Sequence, residues 1–281
     1  MPVTAQKVKE YARIRVAPLT GALGAEVAGV QLRDIDDETF AELHDAWLEH
    51  KVLFFRDQEL TRDEHVSYGR RWGPLEEHPF VKNEAEHPEI VVLDSTPERF
   101  IAAEAWHSDV TWRECPSLGS ILRGVVIPPV GGDTCWANME LAYEQLPDGV
   151  KEKIDGKVAV HSFVKVFGFR LSEEEREQKR REFPDQLHPV VRTHPETGRK
   201  SLYVNQPFTM HIEGVEPEES ARLLDILYRQ ASVPQFQCRF RWQPGSVAQW
   251  DNRCTQHYAV PDFAGQHRRM ERVTVEGDRP R

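Results

Sequence analysis

Two rhythms run along the chain. Apolar residues recur at helical spacing in two stretches: near 37–50, where Phe40, Leu43, Trp47 and Leu48 share a stripe, and over 216–231, where Leu223, Leu224, Ile226 and Leu227 do. Elsewhere the period is two, or the apolar run is short and continuous. Over "QFQCRFRW" the residues Phe236, Cys238, Phe240 and Trp242 alternate with polar ones, as in a strand with one buried face. "KVLFFRDQ", "EIVVLD" (89–94), "AWHSDVTW" (105–112), "SILRGVVIP" (120–128), "SVAQWDN" and "HRRMERVTVEGD" read as further strands, and 19–32 as β-structure broken by glycines. "LHPVVRTHPETGRKSLYVNQ" reads as two strands joined by a polar, Gly-containing turn.

Punctuation adds shorter helices. Thr61 as N-cap and Gly73 as stop frame one over "LTRDEHVSYGRRWG", and Asn138 caps "NMELAYEQLP". "LSEEEREQKRREF", near 170–185, is almost wholly charged and predicts an exposed helix or inserted segment. Many strands, interspersed helices and no βαβ rhythm point to a mainly antiparallel sandwich or barrel. Without an internal repeat or low-complexity linker, residues 1–281 read as one domain.

Composition narrows the function. A chain of 281 residues with 39% hydrophobic content buries a sizeable core, and a formal charge of −10 argues against nucleic-acid binding. With no apolar leader and no run long enough to span a bilayer, a cytoplasmic protein is expected. Cys115, Cys135, Cys238 and Cys254 lack metal-type spacing and read as free thiols.

Against that background "WHSDVTW" stands out. On a strand, His107 and Asp109 share a face while Ser108 points away. A neutral imidazole beside a carboxylate supplies two-thirds of the two-histidine, one-carboxylate set that binds Fe(II) on one side and leaves the other side open. Alone the pattern is weak, because a core histidine bonded to aspartate is the commoner outcome. A second histidine is required, and the chain has 12. His44, His50, His65 and His87 fall on helices or polar surface, and His188 and His194 sit in "HP" dipeptides that read as turns. His257, after the strand and turn of "VAQWDNRCTQ", precedes a basic strand and completes the set best.

That strand places Arg268, Met270, Arg272 and Thr274 on one face. Two inward arginines beside a dication are costly unless anions bind there, and arginine suits bidentate carboxylate or sulfonate recognition. A surface pairing of both with Glu271 and Asp278 accounts for the spacing equally well.

Taken in order, "TGALGAEVAGVQL", "WHSDVTW", "GGDTCWANMELAYEQLP", "HPVVRTHPETGRKSLYVN", "WDNRCTQHYAVPDF" and "RRMERVTVEGDRP" resemble the taurine dioxygenase family of Fe(II)- and 2-oxoglutarate-dependent oxygenases over nearly the whole chain. The resemblance implies a double-stranded β-helix (jelly-roll) core with helices outside. It assigns His107, Asp109 and His257 to iron, and Thr134 and Arg268 to 2-oxoglutarate. It assigns Arg272 and His78 to the substrate's anionic group, and Val110, Trp112, Phe163 and Phe208 to apolar pocket positions. Val81 and Ala103 stand where taurine dioxygenase has a tyrosine and an asparagine, so polar partners for taurine's amino end are lost.

The implied reaction is hydroxylation, with O2 as co-substrate, of a carbon next to an anionic group. An alkyl sulfonate or alkyl sulfate is favoured, releasing aldehyde plus sulfite or sulfate. Iron halogenases carry a small residue where this chain has Asp109, which also argues for hydroxylation. An aryloxyalkanoate dioxygenase of the phenoxyacetate type is the nearest alternative. A jelly-roll that binds metal or ligand without turnover is disfavoured by Arg268 and Thr134, and a hydrolytic zinc site by the lack of a general base. A dimer or tetramer is expected.

Overall fold

The computed structural model describes residues 9–81 and 83–281. Its largest sheet has seven strands in the spatial order Arg15–Pro18, Ala25–Ala28, Val52–Phe55, Val247–Asp251, Gly119–Val126, Arg268–Val275 and Val91–Ser95. Opposite it lie a sheet ordered Gln237–Phe240, Thr134–Asn138, Thr255–Ala259 and another ordered Thr209–Ile212, Val158–His161, Gln186–Pro189. This is the expected jelly-roll.

The pleat explains the layers. Val52, Phe54, Ala248 and Trp250 of the large sheet face inward and meet Trp136, Cys238 and Phe240 of the opposing one. Phe54 stacks on Phe240 at 4.2 Å, and Trp136 meets Trp250 edge-on at 5.7 Å. The alternate residues Leu53, Phe55 and Val247 face outward, where Leu43, Ala46 and Trp47 of helix Asp37–His50 and Val66 of helix Arg62–Arg70 cover them. Leu223, Leu224 and Leu227 of helix Pro217–Gln230 cover the smaller sheets.

Local signals set the helix ends. The Asp36 carboxylate accepts from Thr39 N at 2.8 Å, Thr61 and Glu64 form a reciprocal capping box, and Asn138 accepts from the Glu140 and Leu141 amides. The charged helix Glu173–Glu182 begins with a Ser172–Glu175 capping box and buries no residue. Among the described residues no helix is long and apolar enough to cross a membrane.

Two expectations need correction. Within 19–32 only Ala25–Ala28 is strand; Thr20 Oγ1 accepts from Ala22 N and Leu23 N, holding a turn instead. More consequentially, 105–112 is not a strand. His107 makes a single bridge to His257, and the chain then turns, with Arg113 N bonded to Val110 O at 2.9 Å. Tertiary bonds override the β-propensity of Trp, Val and Thr here. Ser108 Oγ donates to Thr255 O at 2.7 Å, and Asp109 N donates to the Asn252 side chain at 3.2 Å.

Candidate active site

His107 and His257 exchange backbone hydrogen bonds of 3.2 and 2.8 Å, which brings their rings to a centroid separation of 4.1 Å. The Nε2 atoms of both lie 3.9 Å from Asp109 Oδ1. His107 Nδ1 donates to Ala105 O at 2.7 Å, so its Nε2 lone pair is free. Burial lowers the pKa of both imidazoles, and for His257 the neighbouring His107 lowers it further. Burial alone would raise that of Asp109; Arg272, His257 and His107 hold it well below the usual carboxylate range. Two neutral imidazoles and one carboxylate, with their ligand atoms within 4.8 Å of one another, form a donor set that fits Fe(II).

Side chains the sequence did not single out hold the aspartate. Asp109 Oδ2 accepts from Ser120 Oγ at 2.7 Å and Asn252 Nδ2 at 3.4 Å, and Asn252 Oδ1 also accepts from Trp250 Nε1. Directly after the aspartate, Val110 sits at φ 44°, an unusual region for a β-branched residue that costs roughly 1–3 kcal/mol. The turn, rather than a strand's pleat, is what aims His107 and Asp109 together.

All three open into a cavity of about 1300 Å3, also lined by His78, Val81, Ala103, Val110, Thr134, Phe208, Arg268 and Arg272. The expected wall residues Trp112 and Phe163 do not line it. Each is 1% exposed, and Phe80 and Phe167 stand in front of them. Phe80 stacks on Phe163 at 5.1 Å and on Phe167 at 4.8 Å, while the turn at Val110 carries Trp112 behind this layer. Phe80 and the helical residues Val166 and Phe167 of "VKVFGFR" therefore form the wall, and a helix this short leaves no periodicity to read from the sequence.

Arg268 is 6% exposed; its Nε donates to Gly132 O at 3.1 Å, and no carboxylate pairs with it among the described residues. Burial lowers its pKa to about 10. Gly132, at φ 71°, allows the approach, since a Cβ there would meet Arg268 Cδ at 2.9 Å. Thr134 Oγ1 accepts from Trp242 Nε1 at 2.9 Å and lines the same cavity. A buried guanidinium with no protein carboxylate fits an anionic cosubstrate. The surface pairing does not occur: Glu271 pairs with Arg62 and Arg123, Asp278 pairs with Arg192, and only a 3.5 Å contact from Arg269 reaches Glu271 from the adjoining position.

Arg272 Nη1 donates to Asp109 Oδ1 at 2.6 Å. Burial, then Arg272 and Arg113, push His78 down to a pKa of about 3. Its Nδ1 accepts from Phe80 N at 3.2 Å, so the neutral ring carries its proton on Nε2 and can donate from there. His188 and His194, expected in turns, are 1% exposed. His188 bonds Arg113 O, and His194 Nε2 lies 3.0 Å from Asp251. His194, Asp251 and Cys254 form a second ligand-like cluster, but Arg253 clamps Asp251 with bonds of 2.9 and 2.7 Å, making an ion-pair network.

Glu76 gives a pH test. Burial raises its pKa to about 7, against the pull of Arg113 at 3.4 Å and a 2.8 Å bond from Ser117. A carboxyl whose folded pKa exceeds its ordinary 4.5 stabilises fully below that value, and the contribution is lost as pH rises through about 7. Glu76→Gln stays neutral, so its melting temperature relative to wild type should climb between pH 5 and 8. A flat or reversed difference in thermal melts would show that Arg113 keeps Glu76 ionised.

A jelly-roll with this triad at its mouth defines the non-haem iron oxygenase class. Within it, the family described as "Taurine catabolism dioxygenase TauD, TfdA family" matches residues 15–274. An alkylsulfatase of Acinetobacter baylyi is 40% identical over 95% of this chain and 86% of its own. A (S)-phenoxypropionate/alpha-ketoglutarate-dioxygenase of Sphingobium herbicidovorans is 35% identical over 94% and 95%. The crystal structure of a taurine dioxygenase from Burkholderia xenovorans superposes with a TM-score of 0.83 at 39% identity, covering 96% of this chain and 91% of that one. The chain belongs to the taurine dioxygenase family and is an Fe(II)- and 2-oxoglutarate-dependent dioxygenase.

Proposed function

We propose that the enzyme hydroxylates the carbon bearing the anionic group of a small alkyl sulfate or alkyl sulfonate, releasing an aldehyde with sulfate or sulfite. In this reading His107, Asp109 and His257 hold iron, and Thr134 and Arg268 hold 2-oxoglutarate. Bound there, iron and 2-oxoglutarate would supply the oxidising chemistry together with O2, one oxygen atom going to the substrate carbon and the other to succinate, with CO2 released. The protein's own residues bind, orient and exclude water. Arg272 and His78 hold the anion, His78 as a neutral donor. Phe80, Val81, Val110, Phe167 and Phe208, with Ala103 at the mouth, enclose the chain. Trp112 and Phe163 support that wall from behind.

The observation that carries the reading is that, of the five arginines lining the cavity, two reach its interior: Arg268, with no carboxylate partner among the described residues, and Arg272, beside the triad. That gives two anion seats, one for the cosubstrate and one for the substrate. Relatives named for a sulfate ester and for taurine support the second assignment. The wall at Val81 and Ala103 is unfavourable to taurine's ammonium: these side chains offer no acceptor, Glu84 and Asp94 elsewhere on the lining are already paired with Arg62, Arg269 and His267, and Lys165, donating to Gln206 O and Thr209 O beside Phe208, adds positive charge. A buried ammonium would lose its hydration without compensation, whereas an alkyl tail gains roughly 0.8 kcal/mol per buried CH2.

Alkyl sulfates or sulfonates of about four to eight carbons should therefore show higher kcat/KM than taurine, measured by aldehyde release at saturating 2-oxoglutarate. Taurine outperforming every uncharged-tail analogue would refute this. Phenoxyacetates outperforming both would favour the aryloxyalkanoate reading, which the phenoxypropionate relative and the Phe80–Phe167–Phe208 wall also support. We further propose that the chain acts as one domain, in the cytoplasm, as a dimer or tetramer without nucleic-acid or membrane partners. The net charge of −10 and the exposed Phe169 and Val130 support this.

A further inference from the structure

The two oxygens of Asp109 have different surroundings. Oδ2 takes the neutral donors Ser120 Oγ and Asn252 Nδ2, which fix the plane of the carboxylate. Oδ1 faces both histidine Nε2 atoms at 3.9 Å and also accepts from Arg272 Nη1 at 2.6 Å. With a metal held by the two histidines, this one atom would face a cation on each side. A full positive charge so close weakens this oxygen's hold on a dication, and in a buried site the effect is poorly screened.

Arg272 is not fully satisfied in this pose. Its Nε is buried with no hydrogen-bond partner, an unfavourable state for a desolvated donor. Neighbouring groups do not relieve it: Glu76 is engaged by Ser117 and Arg113, and His78 is held neutral. An anion in the cavity would offset the arginine's charge and use its remaining donors.

We propose that Arg272 couples substrate capture to the metal centre: it is shared between Asp109 Oδ1 and the substrate's anionic group, so that anion binding and metal binding strengthen each other. This rests on the reading of Arg272 as the anion clamp. Anion binding relieves the arginine's claim on Oδ1, and Asp109 then gives more to the metal. By linkage the metal tightens anion binding by the same factor. The centre therefore reaches full strength only with substrate in place.

The test is calorimetric titration of Mn(II), which needs no turnover, into wild type and Arg272→Met, with and without saturating hexyl sulfate. Hexyl sulfate should tighten Mn(II) binding to wild type by about fivefold or more, the usual lower range of such couplings. Arg272→Met should bind Mn(II) more tightly than wild type from the outset and gain nothing from hexyl sulfate. Arg272→Met binding Mn(II) no tighter than wild type would overturn the coupling, as would a wild-type affinity unmoved by bound hexyl sulfate. If hexyl sulfate produces no binding heat with metal-loaded wild type, the substrate reading fails, and the Arg272→Met titration alone decides the coupling.

Discussion

His107→Ala and Asp109→Ala should each abolish Fe(II)- and 2-oxoglutarate-dependent turnover, while far-ultraviolet circular dichroism should stay close to wild type. The expected loss follows from the ligand assignment: each variant leaves two of the three proposed protein ligands, which weakens the hold on the metal and changes the set of open positions that the hydroxylation chemistry uses. The fold survives because the position of His107 is fixed by backbone bonds to His257, which the alanine variant keeps. Asp109→Ala costs more stability, since Arg272, Ser120 and Asn252 lose a buried acceptor. Substantial activity in either folded, purified variant would sink the ligand assignment.

Arg268→Met should raise the 2-oxoglutarate requirement steeply and leave thermal stability unchanged or higher. Removing one partner of a buried charge pair typically costs about 2–5 kcal/mol, roughly 30-fold or more in affinity at about 1.4 kcal/mol per tenfold. Stability moves the other way because the guanidinium, buried against Gly132 O and Phe263 without a carboxylate, is a desolvated charge in the protein alone. Binding strength at this site is thus held in reserve at the fold's expense. A 2-oxoglutarate requirement within about threefold of wild type would give Arg268 another role.

Much of this was legible before any coordinates. The apolar stripe at 37–50, the alternation of Cys238, Phe240 and Trp242, and the caps at Thr61 and Asn138 are local signals, and the structure keeps them; Phe236 instead ends a short 3-10 turn and packs under helix Pro217–Gln230. The convergence of His107 and Asp109 has a different cause from the strand that the sequence suggests. His107 and Asp109 do converge, but through a bridge to His257 and a turn at Val110, held by Asn252 and Thr255, 143 and 147 positions away in the chain from the residues they bond. No local propensity encodes bonds of that length. The same turn removed Trp112 from the wall and left it to Phe80 and Phe167, which side-chain type alone could not anticipate. Arg268 and Arg272 shared one predicted face, yet only the structure shows that Glu271 and Asp278 are taken by other arginines.

The most direct measurement of the central claim is product stoichiometry with hexyl sulfate, Fe(II), 2-oxoglutarate and O2. If Arg272 and His78 hold the sulfate so that the adjoining carbon faces the His107–Asp109–His257 centre, succinate, aldehyde and inorganic sulfate should appear in equal amounts, and no sulfate should be released without 2-oxoglutarate. Succinate formed with no sulfate across alkyl sulfates of every length, or sulfate released without oxygen, would contradict it.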